Sequence, residues 1–117
     1  MTDKIKRGAE GEELATRFLE RKGYEIVERN YRYRHSEIDL IAKKNDWLIF
    51  VEVKTRTTVA FGFPEEFVDR AQEAKILEGA EQYIFENDWH GNVRYDIVSV
   101  LFSNGEPEIR HFEDAFY

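Results

Sequence analysis

The clearest pattern in the chain runs from Glu37 to Lys54, where apolar and charged residues alternate on both sides of a short polar break. Ile38, Leu40 and Ala42 fall on one face of a first segment, and Ile49, Val51 and Val53 on one face of a second. That period of two is the mark of strands with a buried face. Asn45-Asp46 between them is turn chemistry, so the segments are predicted to form a hairpin. With Asn45-Asp46 as a two-residue loop, Lys44 stands opposite Trp47. Continuing that register sets Asp39 opposite Glu52, and Glu37 opposite Lys54. Ile41 and Phe50 lie on the charged face, so that face is expected to be covered too.

Residues 8–23 predict a helix stopped by Gly23. Gly8, Gly11, Ala15 and Leu19 form a stripe small enough to let the helix approach a sheet closely. Glu12 lies on the same stripe. It reads either as a glutamate favoured by the helix dipole or as an acid directed at a site, and the helix pattern leaves both open. Residues 24–34 begin as a strand and become basic and aromatic. Arg29, Arg32 and Arg34, interleaved with Tyr31 and Tyr33, suit phosphate contact and base stacking, and equally suit an edge strand protected by charge. A loop is predicted over residues 55–64, with Arg56 either a phosphate contact or part of an ordinary connector.

Pro64, Glu65 and Glu66 announce a second helix running to about Asn87, with Phe67, Ala71, Ala74, Leu77, Ala80 and Ile84 on its buried side and a weak point at Gly79. Lys75 on this helix is a candidate phosphate contact or simply a solvated lysine. A turn over residues 88–92 leads to strands over 94–102 and 108–112, joined by Ser103-Asn104-Gly105. Three strands, a helical crossover and a further strand predict a mixed sheet in which the fourth strand runs parallel to the third.

The 117 residues suffice for one domain with a modest core. There is no cysteine, so any metal must be held by oxygen or nitrogen, and His35, His90 and His111 lack ligand spacing and read as surface or turn residues. Met1 to Arg7 leads into no apolar segment and no stretch is long enough to span a bilayer, so no membrane association and a cytoplasmic location are expected. The net charge of −7 argues against a protein that coats DNA non-specifically. The charge is uneven, however. Residues 1–64 carry 13 basic and 11 acidic side chains, residues 65–117 carry 4 and 13, so a nucleic-acid surface must come from the first half.

Two carboxylates facing one another across a ladder repel unless something neutralises them. Magnesium does so with one or two carboxylates, leaving its other positions to water and substrate phosphate. Lys54, two residues after Glu52 and on its face, is placed to reach an attacking water or the phosphate. Asp39, Glu52 and Lys54 together therefore point to metal-assisted phosphodiester hydrolysis. The competing reading is a solvated hairpin face with Lys54 paired to Glu37.

Gly8-x-x-Gly11-Glu12-x-x-Ala15, Arg29-Asn30-Tyr31-Arg32, Glu37-Ile38-Asp39-Leu40-Ile41-Ala42 and Phe50-Val51-Glu52-Val53-Lys54-x-Arg56 succeed one another along the chain. Phe61-Gly62-x-Pro64, Lys75 and Arg94-Tyr95-Asp96-Ile97-Val98 follow. This combination resembles the YraN family of bacterial proteins, regarded as nuclease-like. Through it the chain is similar to the PD-(D/E)xK restriction-endonuclease-like superfamily, which includes archaeal Holliday-junction resolvases. The resemblance implies an α/β fold with a restriction-endonuclease-like core, a mixed β-sheet flanked by helices in the order αβββαβ with a short final strand, and a single nuclease-like domain over residues 1–117. It implies Asp39 and Glu52 as ligands of Mg²⁺ or Mn²⁺, Lys54 as the catalytic lysine and Glu12 as the helix acid of resolvase-type sites. Ser36 departs from the pattern, standing where the family usually has glycine; it should constrain the backbone but removes no catalytic group. The implied function is a Mg²⁺-dependent endonuclease hydrolysing DNA, with branched or damaged DNA as substrate. The alternatives are a non-catalytic nucleic-acid-binding module that keeps the nuclease fold, and an interaction protein whose acidic second half docks a basic partner. Opposed acids beside a lysine count against the binding module, since binding alone needs no such arrangement, and of the three readings only the nuclease requires a specific divalent site.

Overall fold

Five segments rich in β-branched and aromatic residues pair into one mixed sheet: β1 (Glu25–Tyr33), β2 (Ser36–Lys44), β3 (Trp47–Arg56), β4 (Asn92–Leu101) and β5 (Glu108–Phe112). Two helices, α1 (Asp3–Arg21) and α2 (Arg70–Glu86), cover its faces. The computed structural model describes residues 3–60, 62–102 and 105–116, with backbone alone at residues 3–5 and at Phe67. Spatial order follows chain order, and every neighbouring pair is antiparallel except β3 and β4, which are parallel because α2 returns the chain between them. This is an α/β fold consistent with a restriction-endonuclease-like core, in the expected order with a short fifth strand.

Alternation along β3 divides the core. Ile49, Val51 and Val53 join Ala15 and Leu19 of α1, with Leu40, Ala42, Val98 and Val100. Leu48 and Phe50 join Ile76, Ala80 and Tyr83 of α2, with Ile41, Tyr95 and Ile97. The face carrying Ile41 and Phe50 is thus covered, as the sequence predicts. The hairpin register also follows expectation from Lys44↔Trp47 to Leu40↔Val51, with Asn45 taking the left-handed conformation (φ 57°) that its side chain tolerates.

Beyond Leu40 the pattern changes. Ile38 was expected to share a face with Leu40, but it packs with Ile41 and α2 on the other side of the sheet. β2 therefore turns over at Asp39 and leaves β3 there. Glu37 consequently lies not opposite Lys54 but opposite Arg32 of β1, 3.6 Å from its guanidinium.

Helix boundaries differ too. α1 begins at Asp3 rather than Gly8, because residues 3–7 contain no breaker and the glycine at position 11 serves packing: a Cβ there would overlap the Thr55 side chain. The second helix is interrupted. Pro64–Phe67 makes one 3-10 turn, Val68 and Asp69 are extended, and the Asp69 carboxylate accepts the Gln72 N–H (2.9 Å) to start α2. The restart turns Ala71 and Ala74 to solvent and buries Ile76, Gly79, Ala80 and Tyr83, with Leu77 and Ile84 at the rim. Phe61, Ser103, Asn104 and the Phe67 side chain lie outside the described residues.

His111, expected at the surface, is buried on β5 and bonds Asp96 through Nε2 (2.7 Å). Burial pushes the Asp96 carboxyl up, but hydrogen bonds from His111, from both Arg94 nitrogens and from the Asp114 N–H outweigh it and hold the group below its ordinary range. Lys22, just after α1, reaches His111 Nδ1 (2.7 Å), so one buried carboxylate ties β4, β5 and the end of α1 together.

Ser36 and Gly79 form a matched pair. Ser36 Oγ donates to the Lys75 carbonyl inside α2, and a Cβ at Gly79 would collide with that hydroxyl and come within 3.3 Å of Ile38 Cδ1. Gly79 thus admits β2 to the helix. Gly79→Ala, favourable by about 1 kcal/mol from helix propensity alone, should instead destabilise the protein by about 1–3 kcal/mol. Adding Ser36→Gly should restore most of the loss. Thermal denaturation of the two singles and the double checks this; a higher melting temperature for Gly79→Ala alone would contradict it.

Candidate functional site

The place where β2 leaves β3 is also where the acids gather. Beyond Leu40↔Val51 the Val53 N–H is met by the Asp39 carboxylate (2.7 Å), a side chain standing in for a strand. Glu52, between Val51 and Val53 and so projecting to the α2 side, is buried. The two carboxyls lie side by side, close enough to interact directly. Glu52 Oε1 accepts from Gln72 Nε2 of α2 (3.0 Å), and Lys54 Nζ stands 3.8 Å from the same oxygen. The acid pair and the lysine thus converge, and in place of the Lys54–Glu37 pair of the competing reading the structure has Lys54–Glu52 and Arg32–Glu37.

Burial raises the Asp39 carboxyl above its ordinary value, and the Glu37 charge adds to this; the Val53 N–H and the contact with Glu52 offset it only in part. Burial and then the Asp39 charge push Glu52 up to about 9, against a smaller lowering by Lys54. Two acids held this way keep a proton at neutral pH unless a cation takes its place. Glu12, half-buried on α1, is raised by burial first and then by the charges of Asp39 and Glu37. It faces the same charge centre from the α1 side.

Two grooves flank the centre. The larger, about 1100 Å³, runs between the first turns of α1 (Lys6, Arg7, Glu10, Glu12) and the end of β3 (Lys54, Arg56). The smaller, about 390 Å³, lies under α2 with Glu37, Asp69, Gln72 and Lys75 on its walls. Among the described residues no cluster of three or more His, Cys, Asp or Glu is arranged to hold an ion. The candidate donors are therefore the Asp39–Glu52 pair, a hard oxygen set suited to a cation that keeps waters.

The predicted nucleic-acid residues separate into groups. Arg29 is engaged by Glu13 (2.9 Å) and Arg32 by Glu37, while Arg34 stacks on Tyr33 at the β1–β2 turn. Arg29 and Arg32 sit on edge strand β1 and Arg34 in the turn that follows it. Arg56 lines the larger groove and Lys75 the smaller, the latter at an exposed position. Sequence reasoning missed Gln72, which contacts Glu52, and Lys6 and Arg7, which line the larger groove. Asp69-x-x-Gln72 resembles a helix-capping signature that would have placed Gln72 in the first turn of α2.

The family profile described as uncharacterised protein family UPF0102 matches residues 11–100. The chain belongs to the UPF0102 family. Full-length UPF0102 relatives agree: a protein of Flavobacterium psychrophilum is 43% identical over 110 residues, covering 94% of this chain and 92% of its own. One from Rhodococcus opacus is 42% identical, covering 99% and 100%, and one from Alkaliphilus oremlandii is 44% identical, covering 95% and 97%. The YraN family resembled by the sequence motifs is this same UPF0102 family. The matched region takes in the acid pair, Lys54 and Gln72 but leaves out the Lys6–Arg7 end of α1. No described helix is long and apolar enough to cross a membrane.

The raised pKa of Glu52 sets a sign for stability. Its carboxyl keeps a proton in the folded protein that it loses in the unfolded chain, whose ordinary value is 4.5, so stability should fall as pH rises from about 4.5 toward about 9. In chelator, Glu52→Gln should flatten that slope and raise the melting temperature at pH 8 above wild type. Melting curves across this range test it; parallel slopes for the two proteins would contradict it.

Proposed function

We propose that this UPF0102 chain is a Mg²⁺- or Mn²⁺-dependent endonuclease that hydrolyses DNA phosphodiester bonds, within the PD-(D/E)xK superfamily. The observation that carries the reading is the buried Asp39–Glu52 pair at the departure of β2 from β3, with the Lys54 ammonium beside it. Neighbouring acids that are both raised by burial, Glu52 further by the Asp39 charge, suit a divalent cation, and Asp39 and Glu52 are the residues that would hold it. When bound, the cation would neutralise charge on the phosphate and make water more acidic.

The chain's own residues account for the rest. Val53 N–H fixes one oxygen of Asp39, and Gln72 fixes one oxygen of Glu52, so neither carboxylate rotates freely. Lys54 lines the larger groove while standing against Glu52, a position from which its N–H groups can orient water or meet developing phosphate charge. Glu12 adds an acid on the groove side and is assigned to hold or accept a proton there. The resemblance of the sequence motifs to junction resolvases would make branched or damaged DNA the substrate.

Ligand and catalyst should separate on mutation. Asp39→Ala should lose both Mn²⁺ binding and cleavage, because it removes charge and a coordinating oxygen. Lys54→Ala should bind Mn²⁺ as well as wild type or slightly better, yet cleave at least about 100-fold more slowly. Calorimetric Mn²⁺ titration beside cleavage of single-stranded, duplex, flap and four-way DNA provides both readouts. Wild-type cleavage by Lys54→Ala would sink the catalytic assignment, and no metal-dependent cleavage on any of these substrates would sink the nuclease reading.

A further inference from the structure

We infer that the phosphodiester backbone of a duplex nucleic acid lies in the groove between α1 and the end of β3, held by Lys6 and Arg7 together with Arg56, and not along the arginines of β1. This rests on the nuclease reading for its partner, but the path follows from where the charges sit. The groove is the larger of the two, and it reaches the acid pair through Lys54, which lines it and stands 3.8 Å from Glu52. Lys6, Arg7, Lys54 and Arg56 give it four cationic side chains against Glu10 and Glu12. The smaller groove has Lys75 against Glu37 and Asp69, beneath a helix that also carries Glu73, Glu78, Glu81 and Glu86. Phosphates are therefore drawn to the α1 side.

The chemistry of the walls narrows the ligand. None of the described lining residues of the larger groove is aromatic, so it offers no platform for unstacked bases. Thr57 instead adds a hydroxyl beside the cations, a donor suited to a backbone contact that carries no sequence information. Gly11 lets α1 sit directly on Thr55, which fixes the spacing of the two walls. Arg7 is half-exposed, its guanidinium set over the Phe102 ring (4.6 Å) and 3.3 Å from Glu10, so it is held at the rim. On β1, Arg29 and Arg32 are engaged by Glu13 and Glu37, as Arg7 is by Glu10, but neither lines the groove.

The test reads binding apart from turnover. A fluorescent DNA duplex is titrated by anisotropy in Ca²⁺ at several salt concentrations, with circular dichroism confirming the fold of each variant. K6A/R7A should weaken binding at least ten-fold at low salt and shrink the slope of log affinity against log salt by about 2, since each phosphate contact contributes about 0.9. R32A/R34A should leave the slope within about half a unit of wild type. Glu10→Gln, which removes an opposing charge from the groove, should tighten binding, a gain that misfolding cannot imitate. A wild-type slope for K6A/R7A, or its loss in R32A/R34A instead, overturns the assignment. If the predicted slopes hold while Mg²⁺ and Mn²⁺ give no cleavage, the groove stands and hydrolysis fails. If K6A/R7A binds and cleaves as wild type does, the groove fails and the nuclease reading stands.

Discussion

The hydrogen bond from Val53 N–H to Asp39 is the point on which the molecule turns. A hairpin that kept its register to the end would have set Asp39 and Glu52 across an unbroken ladder, with two like charges opposed and nothing to hold them there. β2 instead leaves β3 after Leu40, and the carboxylate takes the place of the departing strand. One acid is thereby fixed by backbone, its neighbour is fixed by α2 through Gln72, and Lys54 closes the set.

That departure requires a second accommodation. With β2 turned over, Ser36 and Ile38 face α2, and Gly79 is where the helix makes room for them. The serine at position 36, which looked from the motif like a backbone constraint, is in the structure a hydroxyl anchored on the Lys75 carbonyl. The far side of the sheet is braced by Asp96, whose bonds to Arg94, His111 and Asp114 hold β5 and the chain end against β4. The acid pair thus sits between two tightly specified regions, and burial there is the first reason that both carboxyls are raised, the Asp39 charge adding to it at Glu52.

Much of this was legible beforehand, for physical reasons. Period-two alternation and an Asn-Asp turn fix a hairpin register almost without help, and Lys44↔Trp47 through Leu40↔Val51 follows from them. The turnover at Asp39 does not, because residues 38, 40, 41 and 42 are all apolar and such a run supports either face. The start of α2 is hidden in the sequence for a different reason: Val68-Asp69 contains neither glycine nor proline, so the break appears only through the capping bond at Gln72. An uninterrupted helix from Pro64 would put Ala71 and Ala74 inside, whereas the restart at Arg70 leaves both exposed. Gln72, Lys6 and Arg7 matter through position alone, and a polar residue on a helix carries no periodic signal of where it points.

The central claim is that Asp39 and Glu52 form one cation site where the strands part. Paramagnetic relaxation by Mn²⁺ tests it most directly, because broadening falls off steeply with distance and needs no substrate. Substoichiometric Mn²⁺ should broaden the Val53 backbone amide and the Gln72 side-chain amide first, and Mg²⁺ should reverse the effect. Broadening confined to the acidic surface of α2, with Val53 and Gln72 unchanged, would contradict the account.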